Sequence, residues 1–303
     1  MSAAVRALMA GAIDYAGLFP PAGLPMAAAV QNYSGYRAGP NAWMLGRFIV
    51  PVARLEEFVE AFTALPVHAV NAGHAGHDER SPWPLSVIAK ASDAATVAAF
   101  NGRYGSRARI DTIEAPPGQT AREADIEALA PLAATYSVFA EVGWADDPTP
   151  LIASLAQHGL MAKIRTGGVA AEAFPPPEAV ARFVLACRVA KVPFKATAGL
   201  HHMIRGEYPL TYEPGCARAT MYGFMNVMLA SAAAGADAQA IEFAGILDEH
   251  DVNAITFEEG NVRVGSHVID VAAIETARSD GMRAFGSCSF DEPVAELTGR
   301  GLL

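Results

Sequence analysis

The sequence predicts an α/β protein: a (β/α)8 barrel with a helical and hairpin insertion ahead of its last strand. Three observations predict it. Eight short apolar segments alternate with longer stretches of helical period. Those segments read as strands buried on both faces, as in a parallel sheet covered by helices. Eight such units are also the count at which a parallel sheet closes on itself. A chain of 303 residues suits one such domain over residues 1–303. The runner-up, an open doubly wound sheet, would show a GxGxxG turn after the first strand, and Ala12-IDYAGLFPPAG lacks that spacing.

In chain order, the strand segments are Ala12-IDYAGL, Leu45-GRFIVP, Leu85-SVIAK, Arg109-IDTIEA, Tyr136-SVFAEV, Met161-AKIRT, Pro193-FKATAG and Arg283-AFGSCS. Helical segments between them include Val52-ARLEEFVEAFTAL, Asp93-AATVAAFNGRYG, Ala121-READIEALAPLAA, Pro150-LIASLAQHG and Glu178-AVARFVLACRVAK. Most open on Asp, Pro or Thr and close near Gly, as capped helices do. The rhythm breaks at about 203–282. There the sequence predicts a loop (RGEYPLTYEPG), Ala-rich helices over 217–235 and 237–250, and a hairpin, Ile255-TFEEGNVRVG, whose turn requires positive φ at Gly260 or Asn261. These Ala-rich helices would suit a contact between copies of the chain. The aromatic and methionine stripe Met221-YGFMNVMLA reads as core or subunit interface.

Hydrophobic residues make up 52% of the chain and charged ones 18%, yet no apolar run approaches the roughly 18 residues of a membrane helix. The first residues show no export signal, so a cytoplasmic location is expected. Three cysteines without a CxxC pair argue against a disulfide framework or a cysteine zinc site. A net charge of −10 with no basic run argues against nucleic acid, leaving a small-molecule substrate as the expected partner. No cofactor is expected. His74 and His77, in a polar loop, read as solvated.

Active sites of such barrels form at the carboxyl ends of the strands, and ionisable groups there are numerous. They include Asp14, Arg47, Asp111 and Glu114, Glu141, Lys163 and Arg165, Lys195, and His201 with His202. Burying a charge unpaired costs several kcal/mol, so these form either ion-pair networks or a functional site. Lys163 and Lys195 stand on successive apolar strands, each ahead of a Thr and a Gly. Two ammonium groups side by side lower one another's pKa, and a neutral amine in an enclosed pocket attacks carbonyls. Asp111 and Glu141 are candidate proton carriers. The other reading pairs each lysine with a carboxylate or an anion.

Several phrases, taken in order, resemble the deoxyribose-phosphate aldolase family. Ile13-Asp14-Tyr15-Ala16 resembles its IDHT opening and Arg109-Ile-Asp-Thr-Ile its EIDMVI strand. Phe139-Ala-Glu-Val resembles its IIET strand, Lys163-Ile-Arg-Thr-Gly its KTSTG, Lys195-Ala-Thr-Ala-Gly its KASGG, and Phe285-Gly-Ser-Cys-Ser its GTSSG. The resemblance implies a distant member of the class I aldolase superfamily of TIM barrels. It implies Lys163 as the Schiff-base lysine, Lys195 as the neighbour that depresses its pKa, and Asp111 as acid/base. Substrate-binding positions would be Arg165, Asp14, Arg47, Thr166, His201, Gly286 and Ser287. Arg165 departs from the family's small hydroxyl residues, and Gly199-Leu-His-His and Gly286-Ser-Cys-Ser-Phe depart from its phosphate cradle, so a carboxylate such as a 2-oxo acid is the expected ligand. The phrases IDYAGLFPPA, KIRTGG, FKATAGLHH and FGSCSF are also similar to an uncharacterised bacterial protein family, which implies no activity.

Three other readings stay open at this point. His201, His202 and Glu141 could hold a metal ion for a lyase or hydrolase, although adjacent strand residues point to opposite faces. Lys163, Arg165 and Lys195 could clamp the phosphate of a transferase substrate. The chain could also be a binding protein without chemistry.

Overall fold

The computed structural model describes residues 1–66, 81–116, 121–234 and 240–303. His74, His77 and the start of the segment at 237 lie outside the described residues. Eight parallel strands close into a barrel. They are β1 (Ile13–Tyr15), β2 (Leu45–Pro51), β3 (Trp83–Ile88), β4 (Ala108–Glu114), β5 (Ser137–Glu141), β6 (Met161–Arg165), β7 (Phe194–Thr197) and, after the insertion, β13 (Met282–Ser287). Around the barrel they run β1-β13-β7-β6-β5-β4-β3-β2. All eight strand segments expected from the sequence are present, and the fold is the (β/α)8 barrel.

Helices cover the barrel, and their buried residues follow the helical period. In α3 (Leu55–Ala64), Leu55, Phe58 and Phe62 fall on one face and are buried. Phe58 meets Phe48 of β2 with ring centroids 5.4 Å apart, and Phe62 meets Trp83 of β3 at 4.9 Å. Such aromatic pairs add about 0.5–1.5 kcal/mol each to the burial of their area. In α7 (Pro177–Ala190), proline at the first turn pre-sets φ, and Lys191 ends the helix in the left-handed region at φ 55°.

The insertion differs from expectation in three places. Residues 206–221 form a hairpin, β8 (Gly206–Pro209) against β9 (Arg218–Met221), where a loop and the start of a helix were predicted. Burial along β9 alternates, the signature of a strand, and α8 starts only at Phe224 (Phe224–Ala233). Gly223 separates the two, because a Cβ there would collide with Met203 O and Ile204 Cα. The hairpin of β10 (Ile255–Phe257) and β11 (Asn261–Val264) is present, joined by a third strand, β12 (His267–Asp270). The positive φ falls at Gly265 (56°), between β11 and β12, and not at Gly260 or Asn261. The longer link from Phe257 to Val262 turns without a left-handed residue, as four-residue loops built on type I turns do.

The stripe at 221–230 is core. Met221, Met225 and Met228 are buried, and Phe224 stacks on Phe285 of β13 at 5.2 Å. Among the described residues no helix is long and apolar enough to cross a membrane.

Candidate active site

Strand register builds the site. Glu141 of β5 pairs with Lys163 of β6, which pairs with Lys195 of β7. Register partners on neighbouring parallel strands point the same way, so one carboxylate and two amines form a row across three strands. Glu114, the last residue of β4, extends it, and Asp14 of β1 reaches it from the other side.

Lys195 is fully buried and bound between acids. Its Nζ donates to Asp14 Oδ2 at 2.6 Å and to Glu114 Oε1 at 2.7 Å, and lies 5.7 Å from the centre of the Phe139 ring. Burial alone would strip its proton, but the two carboxylates outweigh burial and raise its pKa, so Lys195 is an ammonium. Glu114 is the hinge of the network. Burial pushes its carboxyl up, while Lys195, Lys163 and the Ser86 hydroxyl at 2.6 Å pull it down to about 2. Lys163 Nζ donates to the Ala115 carbonyl at 2.7 Å and lies 3.5 Å from Glu141 Oε2 and 3.7 Å from Glu114 Oε2. Glu114 therefore stands between the two amines and screens their repulsion. The expected depression of one lysine by the bare charge of the other is not what this geometry provides.

Asp14 is fixed from below. Its Oδ1 accepts from the Arg47 backbone N at 2.7 Å, and a Cβ on Gly46 would run into the same oxygen.

Above the row lies a cavity of about 430 Å³, a size suited to a small ligand. Its lining includes the charged residues Glu114, Lys163, Arg165 and Glu292, together with His201 and His202. Phe19, Pro20 and Pro21 form one apolar wall, and Pro209, Leu210, Tyr212 and Met221 of the β8–β9 hairpin form the cover. Among the described residues the Arg165 guanidinium has no ion-pair or hydrogen-bond partner. His201 contacts Glu292 at 3.2 Å and Cys288 at 3.8 Å. Burial would lower its pKa, but Cys288 and Glu292 raise it to about 9.

The residues singled out in the sequence divide into four groups. Lys163, Arg165, His201 and Gly286 line the cavity, while Lys195, Glu141 and Asp14 lie beneath its floor. Thr166 and Ser287 are buried beside it. Thr166 Oγ1 donates to the Ala198 carbonyl at 2.9 Å, holding the left-handed turn at Ala198 and Gly199 (φ 66° and 75°), and Ser287 Oγ lies 3.4 Å from His201 Nδ1. Asp111 and Arg47 sit elsewhere. They bind one another in a two-pronged, half-exposed pair at 2.6 and 3.1 Å, and neither lines the cavity. Asp111 precedes Glu114 by three residues, roughly 10 Å along an extended strand, so Glu114 and not Asp111 reaches the amines. Its place at the strand end was the signal that singles it out.

His201, His202 and Glu141 do not converge. His202 is drawn to Glu296 at 2.6 Å and stacks on Tyr208, His201 faces Glu292, and Glu141 lies by Lys163. Among the described residues no group of three or more His, Cys, Asp or Glu side chains is placed to hold a metal ion. Phe174 fills the space that a Cβ on Gly167 or Gly199 would need and does not line the cavity.

What the fold and site define is a barrel with one amine facing an enclosed cavity and a second amine locked below it. Compared with known proteins, the chain matches no family model, and no curated protein matches it.

Proposed function

We propose that this chain is a Schiff-base-forming carbon–carbon lyase of the aldolase kind, acting through Lys163 on a small carbonyl compound whose carboxylate is held by Arg165. The observation that carries this reading is the division of labour between the lysines. Lys163 is the one lysine among those lining the cavity, and Lys195 is sealed under it against Asp14 and Glu114.

The charge balance fits the chemistry. Condensing an ammonium with a carbonyl gives an iminium and water, with no net change in charge or protons. Acidic surroundings therefore suit both ends of the step. Only a transient acceptor is required, and Glu141 at 3.5 Å is placed to take the Lys163 proton and return it to the departing hydroxyl. Glu114, held at about 2, stays ionised and stabilises the cationic iminium. The iminium then draws in the electrons of the bond between the α and β carbons, which breaks as the β-hydroxyl passes its proton to the Glu141 carboxylate, leaving an enamine and releasing an aldehyde. The Arg165 guanidinium, which has no partner among the described residues, can take a carboxylate in two parallel hydrogen bonds, which favours a 2-oxo acid over a neutral ketone.

Reduction with borohydride in the presence of pyruvate tests the proposal. A stable adduct mapped to Lys163 and lost in Lys163→Met is the expected result. The reading fails if no adduct forms or if it maps elsewhere, and Lys163 with Arg165 would then be an anion clamp.

A further inference from the structure

The cavity contains a group that the Schiff-base chemistry does not use. Cys288 follows β13 and lines the cavity wall together with His201, Tyr212 and Glu292. These four side chains come from three segments, with Cys288 and Glu292 four residues apart in one of them. The Cys288 Sγ lies 3.8 Å from His201 Nδ1, 3.9 Å from His201 Nε2 and 3.6 Å from the Tyr212 hydroxyl. Glu292 Oε2 lies 3.2 Å from His201 Nδ1 and accepts from the Tyr212 hydroxyl at 3.0 Å. A thiol, an imidazolium beside it and a carboxylate that holds the imidazolium in place are the parts of an activated nucleophile.

The other cysteines show the contrast. Cys187 is buried in α7 with its thiol pushed up by burial, and the Cys216 thiol is lowered by hydrogen bonds with Thr211, whose carbonyl it meets at 3.2 Å. Neither lines the cavity.

We propose that Cys288 is a second covalent binding centre of this cavity, paired with His201 and able to add reversibly to a small aldehyde. In the thiolate–imidazolium form of the pair, the Sγ–C bond forms as the carbonyl π pair moves to oxygen, and that oxygen takes the imidazolium proton. The product is a hemithioacetal, and reversal releases the aldehyde unchanged. Atoms and electrons balance without an oxidant or co-reactant. This centre stands on its own residues and does not rest on the role given to Lys163.

Alkylation with iodoacetamide, mapped to individual cysteines, tests it. Near pH 6, His201→Gln should slow alkylation of Cys288 at least about tenfold while leaving that of Cys216 unchanged. Propanal should protect Cys288 in Lys163→Met, where no imine can form at that position. Indifference of Cys288 to His201→Gln, or absence of protection by propanal, would each overturn the proposal. Should His201→Gln fail to fold, thiolate absorbance near neutral pH decides: the wild type should exceed Cys288→Ser, and equal spectra sink the idea.

Discussion

Glu114 Oε1 accepts a hydrogen bond from Lys195 Nζ at 2.7 Å, with both side chains sealed from solvent. A carboxyl held at about 2 when folded and 4.5 otherwise binds fewer protons in the folded chain. Its stabilisation is therefore complete above pH 4.5 and is lost as pH falls toward about 2. Denaturation in urea over an acid series should show this loss, with a shallower slope in Glu114→Gln. Equal slopes would mean that the carboxyl is not held down by its ammonium neighbours.

Replacing Lys195 by Met leaves Asp14 and Glu114 facing one another without the cation between them. Breaking a buried pair in this way costs about 3–5 kcal/mol. The loss should be largest at neutral pH and partly recovered near pH 5, where one carboxyl can take a proton in place of the ammonium. A variant as stable as the wild type at pH 7 would contradict the arrangement.

Arg165→Ala should separate acids from neutral carbonyls. Loss of a two-pronged guanidinium contact costs on the order of 2 kcal/mol, or about thirtyfold in affinity. The concentration of pyruvate needed for half-maximal borohydride trapping should rise accordingly, while that of propanal stays unchanged. A parallel rise for both compounds would show that Arg165 shapes the cavity without recognising charge.

His201 carries the opposite sign. Its pKa is raised from 6.5 to about 9, so its contribution to stability is full below pH 6.5 and disappears as pH rises through 9. Glu292→Gln should flatten the decline in stability between pH 6.5 and 9, read by chemical denaturation.

Gly46→Ala places a methyl group against Asp14 Oδ1 and must displace it from its position beside Lys195. The expected result is a lower melting temperature together with weaker trapping at Lys163. Loss of stability alone would confine Gly46 to packing.

The barrel was legible because its strands are buried on both faces, and a lysine on such a strand breaks the apolar run visibly. That is why Lys163 and Lys195 stood out. Depth along a strand was less legible: Asp111 and Glu114 share β4, and only the register with β3, shifted between Leu85 and Ser86, decides which acid reaches the amines. The β8–β9 hairpin gave little local signal, since Gly206-Glu-Tyr-Pro has weak strand propensity and its pairing is set by the cavity it covers. The group around Cys288 had none, because His201, Tyr212 and Glu292 meet it through chain directions beyond the strand ends.

Asp14 and Lys195 lie 181 residues apart in sequence. During synthesis the acid leaves the ribosome long before its cation, and solvent must serve it until most of the sheet has been made. Truncated barrels should therefore lack the sealed Lys195–Asp14 pair however well their local units fold, so that pair arrives as a property of closure.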